Sequence, residues 1–212
     1  MMLNFNKLHG NAFSENHFNF DVDCDALMSV NTRILAGGAS QAFSAFKLLE
    51  NLIVTEKPEY VVEIGSQKGG LSVYLATTAC VSEQFLFHTF EINKTAWYDR
   101  ANEGAGHWFE KMETICPYCK SFEMNIFSEI ARDIIIENIK KYKTLIISDG
   151  GNKPLEIQIY SQFLKPGDLI MGHDFGIEIH DFMIDKTVLE EFQPWSDRFM
   201  NSGTTFKVFK KK

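Results

Sequence analysis

Little in the sequence takes it out of the class of ordinary packed domains. Its 212 residues contain four cysteines and five prolines, with no internal repeat and no low-complexity tract. So few cysteines exclude a disulfide scaffold, and a reduced, cytoplasmic setting is the simplest expectation. No stretch approaches the ~18–20 continuous apolar residues of a membrane span. The opening MMLNFNKLHGNAF lacks the apolar core of a secretory signal. Basic residues number 21 against 28 acidic ones, a net charge of −7, which argues against a nucleic-acid backbone binder. What is present fits one packed domain: 45% of residues are apolar and 23% charged, ordinary values for a globular chain. Phenylalanine is plentiful, 19 residues, which leaves a homo-oligomer interface open.

Residues 1–30 are Asn- and Phe-rich with weak periodicity, and residues 1–35 read as a lead-in or lid; residues 36–212 read as the domain proper. From Gln41 to Val54, Phe43, Phe46, Leu49, Leu52 and Ile53 recur at helical steps, an amphipathic helix. Short apolar strands then alternate with helical stretches. Strands are expected at Tyr60–Ile64, Phe85–Phe90, Ser121–Phe127, Thr144–Ser148 and Leu169–Gly172. Helices are expected from Gly69, around Ala96–Thr114, and over Glu129–Lys140, Pro154–Leu164 and Lys186–Phe192. Gly203 separates two closing strands, Arg198–Met200 and Thr204–Lys210, which read as antiparallel. The pattern predicts an α/β domain, Rossmann-like and doubly wound, with a mostly parallel seven-stranded sheet.

In such a sheet ligands bind beyond the carboxyl ends of the strands, and the residues ending these strands are polar: Glu63, Glu91, Asn125, Asp149 and the pair His173-Asp174. The first loop, Gly65-Ser66-Gln67-Lys68-Gly69-Gly70, is not a dinucleotide fingerprint, because Gln67 stands where a second glycine admits a pyrophosphate. Nor is it a P-loop. It suits a nucleoside-like cofactor without pyrophosphate, and Glu91, about 20 residues on, stands where a carboxylate takes both ribose hydroxyls. The plainer alternative is a tight strand-helix turn beside an exposed acid.

These residues carry a resemblance. Val62-Glu63-Ile64-Gly65-Ser66-Gln67-Lys68-Gly69-Gly70 resembles motif I, E-x-G-x-x-x-G, of the class I S-adenosylmethionine-dependent methyltransferases, and Phe90-Glu91-Ile92-Asn93 resembles their ribose-binding strand end. The stretch from Leu145 to Asp174 is similar to the metal-dependent O-methyltransferases of the catechol O-methyltransferase type and to the cephalosporin-hydroxylase-like branch. The likeness covers roughly residues 36–175. It implies S-adenosylmethionine as cofactor, bound by Glu63, Gly65, Ser66, Gly69 and Glu91; Asn125, at the end of the third strand, is a candidate for reaching the adenine, the alternative being a turn-forming Asn. It further implies a divalent metal (Mg, Mn or similar) at Asp149, His173 and Asp174. The implied reaction is methyl transfer to a hydroxyl oxygen of a small molecule, with no nucleic acid or membrane partner.

Two departures stand out. His173 replaces a carboxylate of the catechol type; an imidazole suits Mn²⁺, Fe²⁺ or Zn²⁺ better than Mg²⁺, and equally suits a metal-free general base. Asn152 stands where the branch often carries His, and Lys153 beside it is a candidate base or a solvated helix-start lysine. Without a metal, Asp149 reads as a helix cap and His173-Asp174 as an ordinary loop. Trp97 and Trp108 are candidates for stacking on adenine, and Gly37-Gly38, Ser40 and Gln41 for lining the cofactor mouth. Two further readings remain: a non-catalytic S-adenosylmethionine-binding protein, and a metal-dependent enzyme of another type on this fold, with His180 joining His173 and Asp174. Cys116 and Cys119 have redox or zinc spacing, but they follow a helix and precede a strand. A zinc site would need Cys24, Cys80 or His107 to converge, so ordinary loop thiols are expected.

Overall fold

The computed structural model describes residues 43–67, 69–94, 109–110, 113–114, 116–195 and 206–212. Helix α1 (Phe43–Glu56) precedes β1 (Tyr60–Ile64), α2 (Gly70–Ser82), β2 (Leu86–Glu91), β3 (Cys119–Glu123), α3 (Glu129–Lys141) and β4 (Thr144–Ser148). Then come α4 (Lys153–Ser161), β5 (Leu169–Gly172), a 3₁₀ turn (Asp181–Met183), α5 (Lys186–Glu190), β6 (Phe192–Pro194) and β7 (Lys207–Lys211). The expected lid, the Trp97 and Trp108 helix segment and the Arg198–Met200 strand lie outside the described residues.

The sheet runs β3-β2-β1-β4-β5-β7-β6. Its first five strands are mutually parallel, β7 runs antiparallel to β5, and β6 antiparallel to β7. Because side chains alternate across a strand, adjacent residues feed opposite cores. Val61, Leu145 and Leu169 pack with α1 and α2, through Leu49, Leu52 and Leu75. Val62, Ile146 and Ile170 pack with α3 and α4, through Ile135, Ile139 and Ile157. Every residue of β1, β4 and β5 is buried, so these strands read as unbroken apolar runs.

The edges depart from expectation. β3 starts at Cys119 and ends at Glu123, four residues before Phe127, because Asn125 turns the chain and Ser128 caps α3. As an edge strand it is only partly buried, so its alternation is weak. Phe192, expected to end a helix, instead opens β6, an edge strand that tolerates Pro194. The closing hairpin partner of β7 is therefore β6.

Chain order reverses between β1 and β4: β2 and β3 lie to one side, β5 to the other. The loops leaving β1 and β4 diverge there and open a crevice beyond the strand ends. Backbone bonds hold the loops in register, with Gly65 N–H donating to Phe90 O, Asp149 N–H to Ile64 O and His173 N–H to Ser148 O.

Candidate active site

At this reversal point lies an open cleft of about 940 Å³, lined by residues from the ends of β1, β2, β4 and β5. Its floor is set by one glycine. Gly65 has φ +81, and a Cβ there would sit 2.4 Å from Gly150 Cα and 2.5 Å from Asp149 O. Only glycine lets the two loops cross. Gly69, also at positive φ, turns the chain into α2.

Glu91 lines the cleft beside Gln67 and Asn93. Its Oε2 accepts from the backbone N–H groups of Ser66 (3.0 Å) and Gln67 (2.8 Å), and its Oε1 from those of Ile92 (2.8 Å) and Asn93 (3.3 Å). Four donors match the usual accepting capacity of a carboxylate. Glu63 lies beneath the cleft, only 1% exposed. It accepts from Ser72 Oγ and Thr89 Oγ1, and burial pushes its carboxyl up to about 8 against the pull of those bonds. Ser66 Oγ is buried without a hydrogen-bond partner. Asn125 is not among the residues lining the cleft; its Oδ1 accepts from Phe127 N–H at 2.9 Å.

Across the cleft, β4 delivers Asp149 and β5 delivers His173 and Asp174. His173 Nδ1 lies 2.8 Å from Asp149 Oδ1 and 3.4 Å from Asp174 Oδ2, and its ring stacks on Phe206 at 4.4 Å. Lys153 joins them as a buried side chain, contrary to the solvated alternative. Its Nζ lies 3.6 Å from Asp149 Oδ1 and 3.1 Å from Asp174 Oδ2, and it also binds Glu178. Burial alone would lower the Lys153 pKa; hydrogen bonds to Glu178 and Asp174 and the field of Asp149 outweigh it and raise the value. In this arrangement the Lys153 ammonium stands against three carboxylates.

Asp149 does not cap α4. Asn152 does, accepting from Leu155 N–H. Sequence reasoning missed Glu156, a buried acid that accepts from Ser148 Oγ (2.7 Å), Gly150 N–H and Asn152 N–H (both 3.3 Å) and so shapes the loop carrying Asp149. A capping box places the acid three residues after the cap; here it stands four after Asn152, so the rule passes it by. Glu178 was missed too, since it lies beyond any strand end. His180 stacks on Phe182 and is not in the Asp149, His173 and Asp174 cluster, which removes the expected support for a two-histidine iron site. Lys68, Gly37, Gly38, Ser40 and Gln41 lie outside the described residues.

No protein-family model matches this chain, and no curated protein matches it. Solved structures do. The S-adenosylhomocysteine-bound Podospora anserina methyltransferase PaMTH1 is similar with a TM-score of 0.57 at 13% identity, over 94% of this chain and 99% of that one. The O-methyltransferase TomG from Streptomyces achromogenes, in complex with S-adenosylmethionine, is similar with a TM-score of 0.52 at 13% identity, over 98% and 94%. This chain has the methyltransferase fold. CmcI with S-adenosylhomocysteine shares it, with a TM-score of 0.55 at 12% identity over 82% of this chain and 78% of that one. Within that methyltransferase fold, the cleft described above occupies the strand-order reversal where doubly wound sheets take their ligands.

The cysteines correct the sequence reading. Cys80 does converge: it is disulfide-bonded to Cys116, with Cα atoms 5.7 Å apart, and Cys119 is free and buried beside them. These are not ordinary loop thiols. None of the helices among the described residues is long and apolar enough to cross a membrane.

Proposed function

We propose that this protein is an S-adenosylmethionine-dependent O-methyltransferase acting on a hydroxyl group of a small molecule. One observation carries the reading. A single cleft at the strand-order reversal joins the Gly65 loop, bonded to Glu91, with the Asp149, His173, Asp174 and Lys153 cluster.

The residues fit the cofactor. S-adenosylmethionine would supply an electrophilic methyl group on sulfur. Glu91 would take the ribose diol by exchanging one or two of its backbone donors, those of Gln67, Ile92 and Asn93 being exposed. The orphaned Ser66 Oγ supplies an unused hydrogen-bonding group on the same loop. Gly65 keeps that loop's surface free of a side chain.

On the acceptor side, His173 directs Nδ1 at Asp149, which leaves Nε2 to take the proton of an incoming hydroxyl. Phe206 fixes the plane of the ring. Lys153 places a positive charge beside the developing oxyanion. The residues also fit a divalent ion, because donors about 2.1 Å from an octahedral metal stand about 3 Å apart and these stand 2.8 and 3.4 Å apart. Asp149, His173 and Asp174 would hold it, and it would supply Lewis acidity toward the substrate hydroxyl. Lys153 favours a metal-free version of the same reaction, since its ammonium already stands against both aspartates. A cytoplasmic setting and a small-molecule acceptor, without nucleic acid or membrane, complete the reading.

Calorimetric titration with S-adenosylmethionine and S-adenosylhomocysteine, with NAD⁺ as control, tests it. Micromolar binding of the first two that is lost in Glu91→Ala is expected. No binding of either would overturn the reading. A phenol and catechol acceptor screen with Mn²⁺ or with a chelator then separates the metal-assisted from the metal-free form.

A further inference from the structure

Three of the four cysteines meet at the end of the sheet opposite the cleft. Cys80 lies in the last turn of α2, Cys116 just before β3, and Cys119 opens β3 beside Phe87 near the start of β2. Since α2 starts at the cleft loop and runs 13 residues, about 20 Å of helix separates the two places.

The Sγ atoms of Cys80, Cys116 and Cys119 all lie within 4.8 Å of one another. Cys80 and Cys116 are bonded, and Cys119 Sγ stands 3.9 Å from Cys80 Sγ. Two thiolates bound at about 2.3 Å to one tetrahedral zinc must stand about 3.8 Å apart, so the Cys80 and Cys119 pair already has that spacing. A disulfide uses two of the three sulfurs; the third, Cys119 Sγ, stays a thiol that contacts Cys116 O at 3.9 Å. Cys116 and Cys119 are buried while Cys80 is half-buried, so Cys80 is the sulfur residue nearest to solvent.

We propose that, once the Cys80–Cys116 bond is reduced, Cys80, Cys116 and Cys119 form a three-thiolate site for a thiophilic divalent ion of the zinc type, with its fourth position open to water. A dithiol supplies two electrons and two protons to the disulfide and leaves as its own cyclic disulfide. The ion then displaces the three thiol protons, which go to the buffer. Soft sulfur donors select zinc over the magnesium-type ions that oxygen sites take.

The full chain, reduced by a dithiol and freed of it under anaerobic gel filtration, is titrated with Co²⁺. We expect thiolate-to-cobalt charge-transfer absorption and tetrahedral ligand-field bands saturating at one equivalent, displaced by Zn²⁺. The bands persist in Asp149→Asn, since an oxygen and imidazole site gives no thiolate transition. They disappear in Cys119→Ser and in the oxidised chain. Independently of any variant, Zn²⁺ protects three of the four cysteines of the reduced wild-type chain from alkylation, read by mass spectrometry. Absence of the charge-transfer band in the reduced wild-type chain, its survival in Cys119→Ser, or unchanged alkylation with Zn²⁺ would each overturn the proposal.

Discussion

On the β1–β2 side of the cleft the carboxylates are satisfied by neutral donors, whereas on the β4–β5 side they are satisfied by charge. Glu91 is held by four backbone N–H groups and Glu63 by two hydroxyls. Asp149 and Asp174 instead face the Lys153 ammonium and the His173 imidazole. Directional neutral bonds specify a shape and cannot be replaced by an ion. A charge cluster specifies little shape, but one cation can stand in for another. On the function proposed above, the first side would suit a fixed ligand outline, and the second a reacting group or an exchangeable cation.

The largest way to break this arrangement is at the crossing that holds the two sides together. Gly65→Ala combines a left-handed backbone with a Cβ driven into the Gly150 backbone. We expect a loss on the order of 5 kcal/mol. Gly151→Ala, with nothing within 4 Å of its Cβ, serves as control and changes stability by less than about 0.5 kcal/mol. Urea unfolding of both variants checks this, and equal losses would mean that the crossing is not tight.

The neutral side has its own signature in pH. Glu63 in the folded chain titrates near 8, raised from 4.5, so the folded state holds a proton that the unfolded state releases. Stability is therefore fully present below about 4.5 and declines as pH rises toward 8. Glu63→Gln keeps the neutral shape and removes that slope. Between pH 5 and 8 the wild type should lose roughly 3 kcal/mol relative to the variant, read as diverging melting temperatures. Parallel pH curves would place the Glu63 proton elsewhere.

The charged side responds to cations instead. Lys153→Met leaves Asp149, Asp174 and Glu178 without their ammonium. Breaking a buried pair costs about 3–5 kcal/mol; with Glu178 59% exposed, we expect about 2 kcal/mol here. Because the Lys153 pKa is raised, its contribution is fully present throughout neutral pH and declines as pH rises from the ordinary lysine range through the raised one. Mn²⁺ should restore the melting temperature of Lys153→Met and leave that of Glu91→Gln unchanged. A variant insensitive to Mn²⁺ would favour the metal-free chemistry.

This contrast also explains what the sequence could and could not disclose. Strands β1, β4 and β5 are buried on both faces, so composition alone marks them, and their ends present Asp149, His173 and Asp174 by simple adjacency. Glu91 follows from the same rule. At the edges, β3 and β6 are short and partly exposed, and their boundaries slip. Glu63 was legible as a strand-end acid but not as one turned inward toward Ser72 and Thr89, because face alternation is ambiguous in a wholly buried strand. Glu156 and Glu178 act across turns of the chain that local patterns do not join. Cys80 is 36 residues from Cys116, and only the packing of α2 against β2 and β3 brings them together.

Apart from the Gly151→Ala control, the smallest expected effect lies at Asn125, and it sharpens where the neutral side ends. Its Oδ1 accepts from Phe127 N–H and its carbonyl from Ser128 N–H, and Ser128 in turn caps α3 by accepting from Ala131 N–H. The side chain is thus engaged in the turn that launches α3 rather than facing the cleft. Asn125→Ala should cost about 0.5–1 kcal/mol, the usual value of one such local bond. S-adenosylmethionine affinity should stay within a factor of about two, while Glu91→Ala abolishes it. Calorimetry on the two variants decides the point: a tenfold weakening in Asn125→Ala would extend the ligand-bearing surface past β2 to the end of β3, and the neutral side would then include the sheet's edge.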